Sequence, residues 1–159
     1  MSGRGTPATA LLAREGVPHV VHSYVVAPDA PSYGEGAAAA LGVEPERMLK
    51  TLLAVVDGAR LGCAVVPVAG ELDLKSFASA LGGKKAVMAD PVAAERSSGY
   101  VVGGISPLAQ RTRLPTAVDE TVELFDTVLV SAGRRGLSVE LAPADLLRLT
   151  GAVVADLAR

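Results

Sequence analysis

The sequence predicts a mixed α/β protein of the α+β class. We expect a strongly curved, mainly antiparallel mixed sheet or partial barrel with flanking helices. Three observations support this. Apolar runs of strand length recur along the chain, some joined by tight turns and others by helical segments. The helical segments carry their own start and stop residues. Strand and helix do not alternate as a parallel βαβ array requires.

The first elements are a helix, a strand and a second helix. Thr6 and Pro7 are typical of a helix start, and Gly16 indicates its end. Residues 19–26 predict a strand. An Ala-rich helix follows through residues 36–41, where Ser32 or one of its neighbours can supply the cap.

A hairpin and a third helix come next. The apolar runs 48–56 and 61–68 are joined by Asp57-Gly58-Ala59-Arg60, which is a turn signal, so we expect an antiparallel hairpin. Asp73 can cap a helix over residues 74–81, whose apolar residues share one face.

The second half predicts further short strands and two helices. Asp90-Pro91 combines a cap with a first-turn proline. The strand that contains Tyr100 would lead directly into a glycine loop. The expected strands are residues 86–88, 100–102, 116–118, 126–130 and 137–141, and the expected helices are residues 91–96 and 143–149.

Length, charge and hydropathy limit the classes of protein that are possible. Residues 1–159 are half apolar and fit one domain. No run reaches the roughly 18 to 20 apolar residues of a membrane helix, and the N-terminus lacks a signal-peptide core, so we expect a cytoplasmic protein with no membrane partner. The net charge is −2 and basic residues come at most in pairs, so DNA is not an expected partner.

Two features could carry chemistry. Gly103-Gly104 lies between apolar residues and Ile-Ser-Pro, where bare backbone could approach a ligand; the alternative is a tight turn without a ligand. Lys50 is flanked by apolar strand residues on both sides. Because burying an ammonium group is costly, this lysine either extends to solvent or faces a polar cavity.

Several common kinds of site are not indicated. Cys63 lies in an apolar run and predicts a buried thiol. His19 and His22 would point to opposite faces of a strand, so we expect no metal and no cofactor. The chain has no nucleophile elbow and no Walker loop. An enzyme of this sequence would depend on fixed positive charge and backbone N–H groups.

Four blocks of the sequence resemble one family in order along the chain. The blocks are residues 50–53, 66–75, 96–108 and 130–137. They look like the YbaK/EbsC family of aminoacyl-tRNA deacylases. That family is similar to the editing insertion of bacterial prolyl-tRNA synthetase, whose hallmarks are one lysine and a Gly-x-x-x-Pro loop.

The resemblance implies a free-standing, trans-editing deacylase that removes cysteine from tRNA(Pro), with the substrate thiol attacking its own ester. It implies the acceptor end of mischarged tRNA(Pro) as substrate and prolyl-tRNA synthetase as a partner. The catalytic residues would be Lys50, Gly103 and Gly104. The substrate-binding residues would be Tyr24, Thr51, Ile105, Ser106, Pro107, Ser131 and Ser138.

One position departs from the family, and two alternatives stay open. Ser138 stands where the family often has Asp, so an anion that could orient the substrate is missing. One alternative is a deacylase of Ala-tRNA(Pro) that uses an activated water. The other is a non-catalytic module that binds an aminoacyl-adenosine end or a synthetase, because no acid–base pair is evident.

Overall fold

The strands form two sheets with helices around them, in a computed structural model that describes residues 5–159. The α-helices are α1 (Pro7–Arg14), α2 (Tyr33–Leu41), α3 (Leu74–Ala80), α4 (Pro91–Ser98) and α5 (Pro143–Thr150), and a 3-10 helix covers Glu120–Leu124. The strands are β1 (Val20–Ser23), β2 (Leu49–Val56), β3 (Arg60–Pro67), β4 (Ala86–Met88), β5 (Thr116–Asp119), β6 (Val128–Arg134), β7 (Leu137–Leu141) and β8 (Val153–Ala155).

The pairing is mostly antiparallel. One sheet has the order β1-β7-β6 and the other has the order β4-β2-β3-β5-β8. Only the pairs β3–β5 and β5–β8 are parallel. An isolated bridge between Met48 and Leu129 connects the start of β2 to β6. The α+β class is confirmed. Neither sheet closes into a barrel within residues 5–159, and the strong curvature stays a prediction.

Strand β2 is paired with a neighbouring strand along its whole length at one edge but along only part of its length at the other edge. It pairs with β3 along its whole length, which confirms the predicted hairpin. On the other side, β4 pairs only with Ala54–Val56. Residues 49–53 therefore have no β4 strand beside them, and the cavity of the candidate site opens along this gap.

Side-chain caps begin four of the α-helices where the sequence predicts them. Oxygens of Thr6, Ser32, Asp73 and Asp90 each accept a hydrogen bond from a first-turn amide. Helix α5 begins with Pro143 and has no side-chain cap. None of the helices in the described part of the chain has both the length and the apolar character to cross a membrane.

The strand predicted at residues 100–102 is wrong. Helix α4 continues to Ser98 and ends at a left-handed glycine. The amide of Tyr100 then donates to Ser98 Oγ (3.1 Å), and that of Val102 donates to Glu95 Oε2 (2.8 Å). Because side chains of α4 satisfy these amides, the segment needs no strand neighbour. The glycine loop therefore leaves the end of a helix.

Other boundaries differ where pairing partners end. The strand expected at residues 19–26 is limited to the four residues that pair with β7. Strand β6 begins at Val128 rather than Asp126, and it extends to Arg134. The sequence pattern predicts neither β8 nor the 3-10 helix. Strand β8 lies at a sheet edge with Val153 and Val154 partly exposed, so its pattern carries little signal.

One large apolar cluster joins the two sheets. It contains Leu53 and Val65 from the five-stranded sheet and Val130 and Val139 from the three-stranded sheet, all buried. Burying such side chains contributes about 1.5–3 kcal/mol each. The packing fixes β2 relative to β6 and β7, and residues of all three strands line the cavity.

Candidate active site

A cavity of about 390 Å³ lies between the two sheets, the start of α2, helix α4 and the glycine loop. Its volume suits a small organic group rather than a folded partner. Most of the site residues predicted from the sequence line it. These are Tyr24, Lys50, Thr51, Gly103, Ile105, Ser131 and Ser138.

Lys50 lies on the cavity wall and is loosely paired. Its side chain is 29% exposed, and its Nζ lies 4.0 Å from Oε2 of Glu71, whose side chain is 89% exposed. A pair this long and this exposed to solvent holds the ammonium group weakly. Lys50 therefore lines the cavity and also approaches an exposed carboxylate, and a contact of its ammonium group with a ligand stays a prediction.

Thr51 brings an unsatisfied hydroxyl to the same wall. Its Oγ1 is buried and has no hydrogen-bond partner in the described part of the chain. Buried hydroxyl groups are normally bonded, and leaving one unpaired costs about 1–3 kcal/mol. Thr51 also lines the cavity, and a hydrogen bond from this hydroxyl to a ligand stays a prediction.

Three further hydroxyl groups, on or beside the three-stranded sheet, line the cavity. Ser131 and Ser138 are directly opposite each other in the β6–β7 pair. Ser138 is 1% exposed, and its Oγ lies 3.1 Å from Tyr24 Oη. Burial raises the pKa of Tyr24 well above its usual value, so this hydroxyl stays neutral and can donate. Ser131 Oγ accepts from the Gly133 amide (3.2 Å).

The glycine loop presents unpaired backbone amides. Gly103 has φ +91°, a conformation that glycine adopts without strain. The Gly104 amide closes a turn by donating to the Val101 carbonyl (2.9 Å). Within residues 5–159, the amides of Gly103 and Ile105 donate no hydrogen bond. Two cavity-lining residues thus carry free donors of the kind that stabilise an oxyanion.

Three other predicted site residues of this segment are buried and do not line the cavity. They are Gly104, Ser106 and Pro107. A Cβ on Gly104 would lie 2.6 Å from the Arg134 Cα, so the loop backbone rests on the β6–β7 turn. Ser106 Oγ accepts from the Leu108 amide (3.2 Å). These contacts shape the loop, and a direct role of the three residues with substrate stays a prediction.

Sequence reasoning missed the part of the wall that helices α2 and α4 supply. Tyr33, Gly34, Pro91 and Ala94 line the cavity. Gly34 is needed there, because a Cβ would lie 2.6 Å from a Val68 methyl group. The sequence contains the helix starts but no signal that they meet β2, since that contact depends on the tertiary fold.

No cysteine, histidine or carboxylate of the described residues lines this cavity, so its hydroxyl groups have no such base to activate them as nucleophiles. Cys63 is buried outside it, and burial raises the pKa of its thiol to about 12. His22 lies elsewhere and contacts Glu140 (2.9 Å). No cluster of metal-ligating side chains occurs in the described part of the chain. The fold and site define a class of protein that binds a small group beside one lysine, several hydroxyls and free backbone amides.

The chain belongs to the family of aminoacyl-tRNA editing domains. The family model, described as an aminoacyl-tRNA editing domain, matches residues 27–149. The matched segment contains Lys50, the glycine loop, Ser131 and Ser138. The chain is accordingly an enzyme of aminoacyl-tRNA editing, acting on aminoacyl-tRNA esters.

Individual relatives cover nearly the whole chain. EbsC of Enterococcus faecalis, whose assigned activity is Cys-tRNA(Pro)/Cys-tRNA(Cys) deacylase, is 36% identical over 96% of this chain and 92% of its own length. The multifunctional Ser/Thr-tRNA deacylase ProXp-y of Escherichia coli K12 is 32% identical over 88% and 84%. A crystal structure assigned as a trans-editing enzyme for prolyl-tRNA synthetase superposes with a TM-score of 0.82 at 26% identity, covering 100% of this chain and 99% of that one.

Proposed function

We propose that this chain is a free-standing deacylase that removes cysteine from mischarged tRNA(Pro) in the cytoplasm. The observation that carries the proposal is the small cavity with Lys50 and free loop amides on its wall and, among the described residues, no cysteine, histidine or carboxylate in its lining. Such a site can hold and polarise an ester, but the attacking group must come from elsewhere. The 36% identity to EbsC supports cysteine as the amino acid.

An editing step meets a physical need. A synthetase pocket built for proline cannot strongly reject a smaller amino acid, because a difference of one methylene is worth only about 1–3 kcal/mol. A second site with a different basis for selection removes the error. A substrate thiol that serves as the nucleophile provides that basis, since proline carries none.

The proposed reaction is an intramolecular attack. The cysteine sulfur bonds to the ester carbonyl carbon, the bond from that carbon to the ribose oxygen breaks, and the thiol proton passes to the ribose oxygen. The products are uncharged tRNA and a cysteine thiolactone, which water opens to free cysteine. Holding the thiol close to the carbonyl supplies much of the rate, because proximity can be worth about 7–11 kcal/mol.

Residues of the cavity have separate roles in this reaction. The amides of Gly103 and Ile105 stabilise the negative charge that develops on the carbonyl oxygen. Lys50 holds the ester end or the terminal adenosine by its charge. The unpaired hydroxyl of Thr51 bonds the substrate, which relieves the cost of leaving it unsatisfied.

A second substrate class is favoured by the hydroxyl groups around Ser138. Tyr24, Ser131 and Ser138 could hydrogen-bond a serine or threonine side chain or an attacking water, and ProXp-y is named for Ser/Thr-tRNA. The alanine ester of tRNA(Pro) belongs with this class, because it also needs a water. The non-catalytic binding module would show no turnover on any of these esters.

Prolyl-tRNA synthetase is the proposed partner. The net charge of −2 offers few contacts to the tRNA backbone, and a synthetase that holds the same tRNA would raise the effective concentration. Titrating the chain against tRNA(Pro) with and without the synthetase checks this. Equal apparent affinity in both titrations would contradict the partnership.

The function is tested by single-turnover deacylation of tRNA(Pro) charged with cysteine, alanine or serine. We expect release of cysteine well above the rate without protein and little release of alanine. Lys50→Ala should lower the cysteine rate about 100-fold. Lys75→Ala, at an exposed lysine on α3, is the matched control and should leave it unchanged. No turnover of any ester by the wild-type protein would contradict an editing role.

A further inference from the structure

Arg135 is held at the rim of the cavity by two residues that line it. Its guanidinium carbon lies 5.4 Å from the ring centroid of Tyr33, within the range of a cation–π contact. On the other side the guanidinium packs against Gly103, where a Cβ would collide with Arg135 Nε. The group is therefore fixed between α2 and the glycine loop.

The Tyr33 ring that supports Arg135 is itself fixed. Its hydroxyl oxygen accepts a hydrogen bond from the Gly136 amide (2.6 Å). Gly136 follows Arg135 in the β6–β7 turn. The turn therefore both carries the guanidinium and orients the ring beneath it. Because the arginine side chain is already ordered, ligand binding does not carry the entropic cost of ordering it.

The positive charge of Arg135 has no acidic partner in the part of the chain that the structure describes. Arg47, by contrast, bonds Glu140 (3.2 Å). A planar, pre-oriented and unpaired guanidinium suits a phosphate, which it can bind through two parallel hydrogen bonds. An anion held there would lie beside Gly103, and so beside the ester in the proposed site.

We propose that Arg135 binds the phosphate on the 5′ side of the terminal nucleotide of the aminoacyl-tRNA. This inference rests on the proposed function, in which the ester on that nucleotide enters the cavity. The terminal phosphate is the nearest anion on such a substrate. A single fixed arginine also fits the charge of the chain, which has no basic stripe that could track a longer backbone.

Small esters test the subsite without the rest of the tRNA. The probes are cysteine esterified to the 3′-hydroxyl of adenosine and the same ester of adenosine 5′-monophosphate. We expect the wild-type protein to prefer the phosphorylated ester by about tenfold or more in kcat/KM, as one charge-assisted contact allows. Arg135→Gln should abolish that preference, so that the two esters are cleaved with similar kcat/KM.

Two further variants separate charge from structure. Arg135→Lys keeps the charge but loses the planar fork, so it should retain part of the preference. Arg134→Ala removes the same charge from the adjacent exposed position and should keep the full preference. If Arg135→Gln kept the preference, or lowered kcat/KM equally for both esters, the proposed phosphate subsite would be wrong.

A binding measurement keeps this inference separate from the proposed function. The affinity of the wild-type protein for adenosine 5′-monophosphate and for adenosine can be compared by NMR titration, with no turnover needed. Tighter binding of the monophosphate that Arg135→Gln removes would support the subsite even if no ester were cleaved. Equal affinity for the two probes in the wild-type protein would overturn it even if the enzyme proved active.

Discussion

Lys50 and Thr51 are adjacent on β2, yet both line the cavity. Successive residues of a strand point to opposite faces, so the cavity must wrap around the edge of the strand that β4 leaves uncovered. We propose that this dipeptide offers a ligand a cation from one face of the strand and a hydroxyl from the other.

The orphan hydroxyl of Thr51 predicts opposite effects on stability and activity. Thr51→Val keeps the shape and removes the unsatisfied oxygen, so we expect the free energy of unfolding to rise by up to about 1 kcal/mol while deacylation slows. Denaturant unfolding measures the free energy of unfolding, and single-turnover kinetics measure the deacylation rate. Thr116→Val is the matched control, because the Thr116 hydroxyl donates to the Leu114 carbonyl (3.0 Å) and its loss should destabilise. If Thr51→Val lost stability as Thr116→Val does, the Thr51 hydroxyl would already have a partner.

Ser138 predicts a shift in amino-acid preference. Ser138→Asp places a carboxylate beside Tyr24, where it can accept the Tyr24 hydrogen bond and attract the ammonium group of the substrate. We expect a lower KM and a changed ratio of cysteine to alanine release. Burying the charge at a position that is 1% exposed should also lower stability by about 1–3 kcal/mol. An unchanged rate together with an unchanged ratio would remove Ser138 from the substrate site.

At the scale of elements, the glycine loop depends on the β6–β7 turn beneath it. A Cβ on Gly104 would meet the backbone of Arg134, which cannot rotate away as a side chain can. Gly104→Ala should therefore displace the loop and lower both activity and melting temperature. Gly82→Ala, at an exposed glycine with open space around it but a φ of +81°, is the control, because backbone strain there should lower the melting temperature while activity is retained. A fully active Gly104→Ala protein would show that the loop position is not needed for catalysis.

The sequence predicted whether a segment is helix or strand better than it predicted the tertiary contacts of that segment. Helices α1 to α4 begin at the expected caps because those signals are local. The strand expected at Tyr100 failed because Ser98 and Glu95 satisfy amides that an apolar run alone would assign to a sheet. Most site residues came from the family resemblance, whereas Tyr33 and Arg135 emerged only from tertiary contacts that sequence spacing does not encode.

At the scale of the whole molecule, Asp119 ties the five-stranded sheet to the C-terminal segment. It is 1% exposed. Its Oδ1 accepts from the amides of Leu157 and Ala158 (2.9 Å each), and its Oδ2 accepts from Thr121. Leu157 is fully buried in the cluster that contains Phe77. The carboxylate therefore holds a core residue in place through the backbone.

Stability should fall when the Asp119 carboxylate is altered. Burial by itself raises the pKa of Asp119, but the hydrogen bonds from Thr121, Leu157 and Ala158 outweigh it, and the pKa lies below its usual value. Asp119→Asn places an amide NH₂ against one set of these donors and should cost about 2–3 kcal/mol at neutral pH. Urea unfolding of the two proteins measures the loss.

The lowered pKa of Asp119 also determines how the stability of the protein depends on pH. A group whose pKa is lowered by folding contributes stability above its unfolded pKa of about 4, and that stability is lost as the pH falls through the folded value. The wild-type protein should therefore lose stability below about pH 4 more steeply than Asp119→Asn does. Parallel acid titrations of the two proteins, followed by circular dichroism, would contradict this if the curves had the same slope.

We propose that this cavity, whose hydroxyl groups have no histidine or carboxylate of the described residues beside them to activate them, uses the thiol of its substrate as the nucleophile. The most direct test compares wild-type single-turnover rates on tRNA(Pro) charged with cysteine and with S-methylcysteine, which has a blocked thiol of nearly the same size. We expect the free thiol to be cleaved at least about 100-fold faster, because only it can attack intramolecularly. Equal rates would contradict the account and would assign the attack to a water that the protein activates.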